Sequence, residues 1–269
     1  MNTSTQADLE GSQNDWPVPE YRGDREPHFL FLITPPYSGS TAIAKVLNTG
    51  SRTMLLHHTG EGQRLIPALA GRRRWRADMF VSYESIRAIW LTKYHEVNEI
   101  VGGIEAVIEK SPPNMVRIDR ICEMFSNYSF LANNRNPYAI CASTLYRTRH
   151  VETMDNEQRQ KSLRRFSKGW IQRSEIIKTF VERYSAPLIT YEQFCERPER
   201  LRDKLALEDH IKNSINFNEP IAVKDYPEQT ISNQNSKQIA LLSNQDLDTI
   251  SSILRSHEHL LDYFGYASL

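Results

Sequence analysis

Residues 28–47, HFLFLITPPYSGSTAIAKVL, constrain the fold of this chain more than any other stretch. An apolar run at 29–33 breaks at Pro35-Pro36, and the small-residue turn Ser38-Gly39-Ser40-Thr41 follows. A helical pattern then opens with Ile43, Val46 and Leu47. An apolar run without alternation is what a strand buried on both faces requires. Strand, tight turn and helix start together make a place to hold a phosphate. The backbone N–H groups of such a turn converge, and the helix N-terminus adds partial positive charge. Gly39 lets the backbone approach an anion closely. An ordinary βα turn has the same outline, so the chemistry depends on what surrounds it. Tyr37 stands where a phosphate loop is expected to carry a cation.

The rest of the chain repeats the alternation. Strands are expected at 53–56, 106–108, 128–132 and 187–191. Helices are expected at 40–47, 61–69, 83–100, 114–125, 136–147, 157–184, from Pro198 onward, and at 247–264 ending near Gly265. Asn136-Pro137 is a good helix start, with Asn as cap and Pro at the first helical position. Strands alternating with helices imply an α/β fold with a mostly parallel sheet covered on both faces. Ligands of such sheets collect at the carboxyl ends of the strands. No internal repeat is evident.

At 269 residues the chain is long enough for one large α/β domain, read here as 27–269 behind a polar arm at 1–26 that is expected to be disordered. Lys+Arg and Asp+Glu both total 33, so bulk charge gives no reason to expect a nucleic-acid or anionic-membrane surface. The N-terminus lacks the apolar core of a secretory signal. No stretch reaches the roughly 18–20 apolar residues of a membrane span. Three separated cysteines, Cys122, Cys141 and Cys195, offer neither zinc spacing nor a disulfide framework, so a reducing, cytoplasmic location is expected.

Three segments place polar groups at strand ends: the loop 38–41, Glu109-Lys110-Ser111-Pro112, and Asn134-Arg135-Asn136-Pro137 leading to Ser143. Ser143 lies about two helical turns beyond Arg135, so both can reach one phosphate if the helix packs beside it. Arginine supplies a fork of donors and serine a hydroxyl.

In this order the set resembles the sulfotransferase family, which moves a sulfuryl group from 3′-phosphoadenosine 5′-phosphosulfate (PAPS) to an acceptor and releases adenosine 3′,5′-bisphosphate (PAP). The resemblance covers about residues 28–266. It implies a P-loop-NTPase-like three-layer α/β/α fold. The family's 5′-phosphosulfate loop corresponds to Tyr37-Ser38-Gly39-Ser40-Thr41, and its 3′-phosphate element to Arg135-Asn136-Pro137 with Ser143. Tyr191-Glu192, Pro198 and the ending Asp262-Tyr263-Phe264-Gly265-Tyr266 are also similar to family elements. Gly60-Glu61-Gly62-Gln63-Arg64 resembles the segment that carries the general base in the tyrosylprotein branch. The resemblance therefore implies Glu61 as base and Lys110 as the lysine at the transferring sulfate. No metal is implied. A peptide, glycan or small molecule can be the acceptor.

A base typically contributes about 10²–10⁴-fold, and His57 or His58 can stand in for Glu61. Most of the family carries Lys or Arg at the position of Tyr37; Lys110 or an arginine of 71–76 can replace that cation, and a nucleotide-binding protein without turnover is the alternative outcome. A P-loop kinase reading is weaker, because the turn lacks the Gly-Lys-[Ser/Thr] ending that reaches the β/γ-phosphates. Trp75, Phe80, Tyr83, Trp90 and Tyr94 can either line an acceptor cleft or pack the interior.

Overall fold

A computed structural model describes residues 26–69, 71–76, 82–223 and 227–269, without the side chains of Arg72 and Arg73. All but the last residue of the polar arm at 1–26, and Phe80, lie outside the described residues. The chain runs through β1 (His28–Ile33), α1 (Ser40–Leu47), β2 (Thr53–Leu55), α2 (Tyr83–Val101), β3 (Ala106–Glu109), α3 (Ile118–Met124), β4 (Tyr128–Asn134), α4 (Pro137–Thr148), α5 (Asn156–Tyr184), β5 (Leu188–Thr190) and α6 (Tyr191–Glu196). Short helices α7 (Leu201–Lys204), α8 (Asp209–Asn213) and α9 (Asn235–Ile239) precede α10 (Asn244–Leu254) and α11 (Glu258–Phe264).

The five strands form one sheet in the order β2-β3-β1-β4-β5, and every pairing is parallel. The alternation of element types thus gives the α/β class expected of it. Phe29 to Ile33 are wholly buried because both faces are covered. Phe29, Phe31 and Ile33 point into a core shared with α2, α4, α5 and the C-terminal helices. Leu30 and Leu32 point the opposite way, into a second core with α1 and α6 to α8. The result is three layers with β1 at the centre.

Several boundaries differ from the sequence pattern for local reasons. Residues 61–69 form two 3₁₀ turns, Gly62–Leu65 and Pro67–Leu69, not a helix; Pro67 cannot continue a helical hydrogen-bond ladder. Residues 114–125 divide into a 3₁₀ turn, Pro112–Val116, and α3, with Arg117 between them. The C-terminal pattern at 247–264 is α10 and α11, separated by a turn at Arg255–His257. Asn136 does cap α4, its side chain accepting from the N–H groups of Tyr138 and Ala139. Among the described residues no helix is long and apolar enough to cross a membrane.

Candidate active site

Because all five strands are parallel, their carboxyl ends share one edge, and the loop at 37–41, the segment with Glu61, Lys110 and Arg135 all follow strands there. The loop after β1 sits at the middle of that edge. β3 and β2 deliver Lys110 and the 57–63 segment on one side of it; β4 and β5 deliver Arg135 and Tyr191 on the other. This is the switch point of the sheet, where neighbouring connections diverge and leave a crevice.

The loop is shaped by its own backbone. Gly39 caps α1 with φ 81° and ψ 3°, and no side chain caps the first-turn N–H groups. Tyr37 also takes a positive φ, 64°. The Ser38 hydroxyl turns into the protein, donating to the Pro35 carbonyl at 2.7 Å and pairing with Thr34 Oγ1 at 2.6 Å. Thr34 in turn donates to Asn133 Oδ1 at 2.9 Å. Ser38 therefore ties the loop to β4, and of the predicted loop residues only Tyr37, Gly39, Ser40 and Thr41 face open space.

On the β4 side, a pocket of about 130 Å³ brings Arg135 and Ser143 together beside Gly39, Ser40 and Thr41. Arg135 is only 4% exposed. Its Nε donates to Asn235 Oδ1 at 2.8 Å and its Nη1 to the Tyr37 carbonyl at 3.1 Å, while its guanidinium lies 4.0 Å from the Tyr191 ring centroid. Among the described residues the buried Nη2 finds no hydrogen-bond partner. Leaving such a donor unpaired costs about 1–3 kcal/mol. Glu192 braces the arrangement: Oε1 accepts from the Asn136 N–H and from Asn235 Nδ2, and Oε2 from the Tyr266 hydroxyl.

On the β3 side, a cleft of about 670 Å³ holds Glu61, Lys110, His58, Arg64, Arg74 and Arg173. Lys110, 2% exposed, donates to Thr41 Oγ1 at 3.2 Å and reaches Glu61 Oε1 at 3.5 Å. Arg74 and Arg64 donate to Glu61 Oε2 at 2.7 and 3.2 Å. Burial opposes ionisation of Glu61, but Lys110, Arg74 and Arg64 outweigh it and hold the carboxyl below its ordinary range. Burial likewise lowers the Lys110 pKa, against the pull of Glu61 and Glu109. His58 lines the cleft, whereas His57 turns to Thr59, its Nδ1 within 2.7 Å of Oγ1. The two clefts share Tyr37, Ser40 and Thr41.

The basic loop at 71–76 contributes through Arg74 and Trp75, both in the cleft wall, and Arg117 fastens it by donating to the carbonyls of Arg74 and Arg76. Tyr83, Trp90 and Tyr94 are core residues. Sequence reasoning missed four participants. Arg147 and Arg173 act electrostatically on the Tyr37 phenol, whose pKa burial raises and these cations pull down. Positive charge beside the loop thus comes from α4 and α5. Asn235 orients Arg135 from a polar connection with no recognisable pattern. Glu109, read only as a motif neighbour of Lys110, is fully buried and organises the 60–63 segment.

Solved structures similar to the chain include two sulfotransferase domains. The sulfotransferase domain from the curacin biosynthetic pathway is 15% identical, with a TM-score of 0.49, over 91% of this chain and 100% of that one. The sulfotransferase domain from the Synechococcus PCC 7002 olefin synthase is 17% identical, also with a TM-score of 0.49, over 94% of this chain and 98% of that one. No family model matches the chain, and no curated protein does.

Proposed function

We propose that the protein transfers a sulfuryl group from PAPS to a hydroxyl or amine of an acceptor. The observation that carries this reading is the division of the strand-end edge into two clefts that meet only at the loop residues Tyr37, Ser40 and Thr41. One side offers an arginine with an unsatisfied buried donor beside a serine, suited to the nucleotide's 3′-phosphate. The other offers a carboxylate and a lysine, suited to a reacting acceptor. The reacting group belongs between them, against the first-turn N–H groups of α1. The β4-side pocket is too small for a whole nucleotide, so in this reading it holds the 3′-phosphate end while the donor extends past the loop toward the second cleft.

The donor supplies an activated sulfuryl group: the acceptor oxygen or nitrogen bonds to sulfur as the bond from sulfur to the phosphate oxygen breaks, and PAP leaves. The protein's work is positioning and charge stabilisation. Arg135 and Ser143 hold the 3′-phosphate, the loop N–H groups and Thr41 hold the 5′ end, and Lys110 stabilises charge on the sulfate oxygens. Arg173 supplies further positive charge where Tyr37 replaces the usual cation. Glu61 accepts the acceptor's proton. Its three cationic neighbours make it a weak base, which fits proton removal late in the displacement and a modest turnover. No metal takes part, and the three free cysteines fit a cytoplasmic setting.

Thermal shift with PAP and transfer of labelled sulfate test the proposal together. A ligand present at a hundredfold excess over its Kd stabilises by about 2.7 kcal/mol. Arg135→Lys keeps the charge but loses the planar fork, and is expected to weaken PAP about tenfold, a loss in the range of one charge-assisted hydrogen bond. A protein that neither responds to PAP nor transfers sulfate overturns the reading. Binding without transfer identifies a nucleotide-binding protein on the same scaffold.

A further inference from the structure

A third cleft, about 900 Å³, lies on the far side of Tyr37, bounded by α4 and α5. Among the described residues six cations line it, Arg149, Lys161, Arg164, Arg165, Lys168 and Arg173, and no carboxylate does. Five of the six belong to α5: Lys161, Arg164, Arg165 and Lys168 are linked by spacings of three and four residues, and Arg173 follows Arg165 by eight, about two turns, which keeps them along one side of the helix. Like charges so placed destabilise a helix, and in a chain whose total charges balance, 33 against 33, the concentration is local.

The rest of α5 shows what balanced charge looks like. Arg159 pairs with Asp246, Lys178 with Glu182, Arg183 with Asp119, and Glu175 with His259. Among the described residues, none of Arg149, Lys161, Arg164, Arg165 and Lys168 has a carboxylate partner. The unbalanced stretch faces the groove, and the groove joins the Glu61–Lys110 cleft through Pro36, Tyr37 and Arg173, which line both.

We propose that this groove seats the acceptor, and that the acceptor is an acidic oligosaccharide whose carboxylates pair with the α5 cations while one hydroxyl reaches the loop. The proposal rests on the sulfuryl-transfer reading for the role of the hydroxyl, but the binding itself does not. A sugar fits better than an acidic peptide on two counts. Gln172 and the hydroxyl oxygens of Thr144 and Thr148, which donate to the Ile140 and Thr144 carbonyls and keep lone pairs to accept with, intersperse neutral hydrogen-bonding groups among the cations, as a chain rich in hydroxyls needs. The walls are helices rather than a strand edge, so an extended peptide finds no backbone ladder to join. From 161 to 173 the helix extends about 18 Å, at 1.5 Å per residue, long enough to follow several sugar rings.

The test uses the full chain and calorimetric binding of a uronic-acid oligosaccharide, with a charge-matched glutamate peptide and a neutral dextran oligosaccharide as comparisons. The acidic sugar is expected to bind, to weaken with added salt as screened contacts do, and to outbind the peptide; dextran is expected not to bind. The triple variant Lys161→Gln/Arg165→Gln/Lys168→Gln changes exposed side chains and should keep the wild-type melting temperature and the PAP response. Its affinity for the acidic sugar should fall about tenfold, the combined loss of three exposed charge contacts. Unchanged affinity in the variant, no binding of the acidic sugar, or equal binding of the glutamate peptide overturns the proposal. Loss of sugar binding in the variant, in a protein that ignores PAP, leaves the groove standing and removes the sulfuryl-transfer reading instead.

Discussion

Gly39 shows how a single residue sets the donor loop. A Cβ built there would lie 2.2 Å from Cδ2 and 2.6 Å from Cε2 of Tyr191, and the residue's φ is 81°. Gly39→Ala therefore has to displace the ring that stacks on Arg135 and also adopt a left-handed backbone. Strain of that kind costs about 1–3 kcal/mol. Urea unfolding should show that loss, and PAP affinity should fall further than stability alone explains, because Arg135 loses its stacking surface; wild-type stability and binding in the variant would show that Tyr191 yields freely. The sequence made the need for a glycine plain, through the small-residue turn after an apolar strand. It could not show what crowds the glycine, since Tyr191 arrives from another strand. The same holds for Tyr37. The missing loop cation was legible, but its neighbours Arg147 and Arg173 sit on helix surfaces where arginine is common and signals nothing by itself.

At the scale of elements, the turn after β3 acts as a fastening for the segment that carries Glu61. The buried Glu109 carboxylate accepts from the Gly62 N–H at 2.6 Å, the Ser111 N–H at 2.9 Å and Asn114 Nδ2 at 3.1 Å. Ser111 Oγ accepts from the Gln63 N–H, Asn114 Oδ1 accepts from Gln63 Nε2, and the Lys110 N–H donates to the Gly60 carbonyl. These long-range bonds, not an i→i−4 ladder, satisfy residues 60–63, which is why a stretch that reads as a helix forms short turns. Burial pushes the Glu109 carboxyl up to about 7, against those three donors and Lys110. Between the ordinary carboxylate range and about 7, the folded protein thus holds a proton that the unfolded chain releases, and stability falls as pH rises through that window. Glu109→Gln has no such titration and should flatten the slope in urea unfolding. It should also lower stability near neutrality by about 1–3 kcal/mol, because its amide N–H₂ faces other donors. A slope identical to wild type would mean that Glu109 stays ionised throughout.

For the whole molecule, the alternation of strands and helices made the α/β class legible, but strand order was not. Nothing local in residues 53–56 or 106–109 says that β2 takes the edge and β3 returns beside β1, yet that order puts Glu61 and Lys110 on one side of the loop and Arg135 on the other. The C-terminal helices illustrate the same dependence on distant partners. Ser243 and Asp246 form a capping box that starts α10, a pairing a sequence can carry. Asp246 is also fully buried and accepts from Arg159 Nε and Nη2 and from Gln160 Nε2, all on α5. One carboxylate therefore both begins α10 and docks it to the helix that walls the cationic groove. Burial opposes its ionisation, but Arg159 and Ser243 outweigh that and hold its pKa below the ordinary Asp range. A carboxyl depressed in the folded state contributes stability that is present above its unfolded pKa and is lost as pH falls through the folded one. Asp246→Asn should cost about 1–2 kcal/mol at neutral pH, the loss of charge-assisted bonds at a site that solvent partly screens through Arg159. The difference from wild type should shrink toward zero as the solution is acidified below the ordinary Asp range. Unfolding followed at a series of pH values reads both effects, and a constant difference down to strong acid would show that Asp246 holds α10 by packing and not by charge.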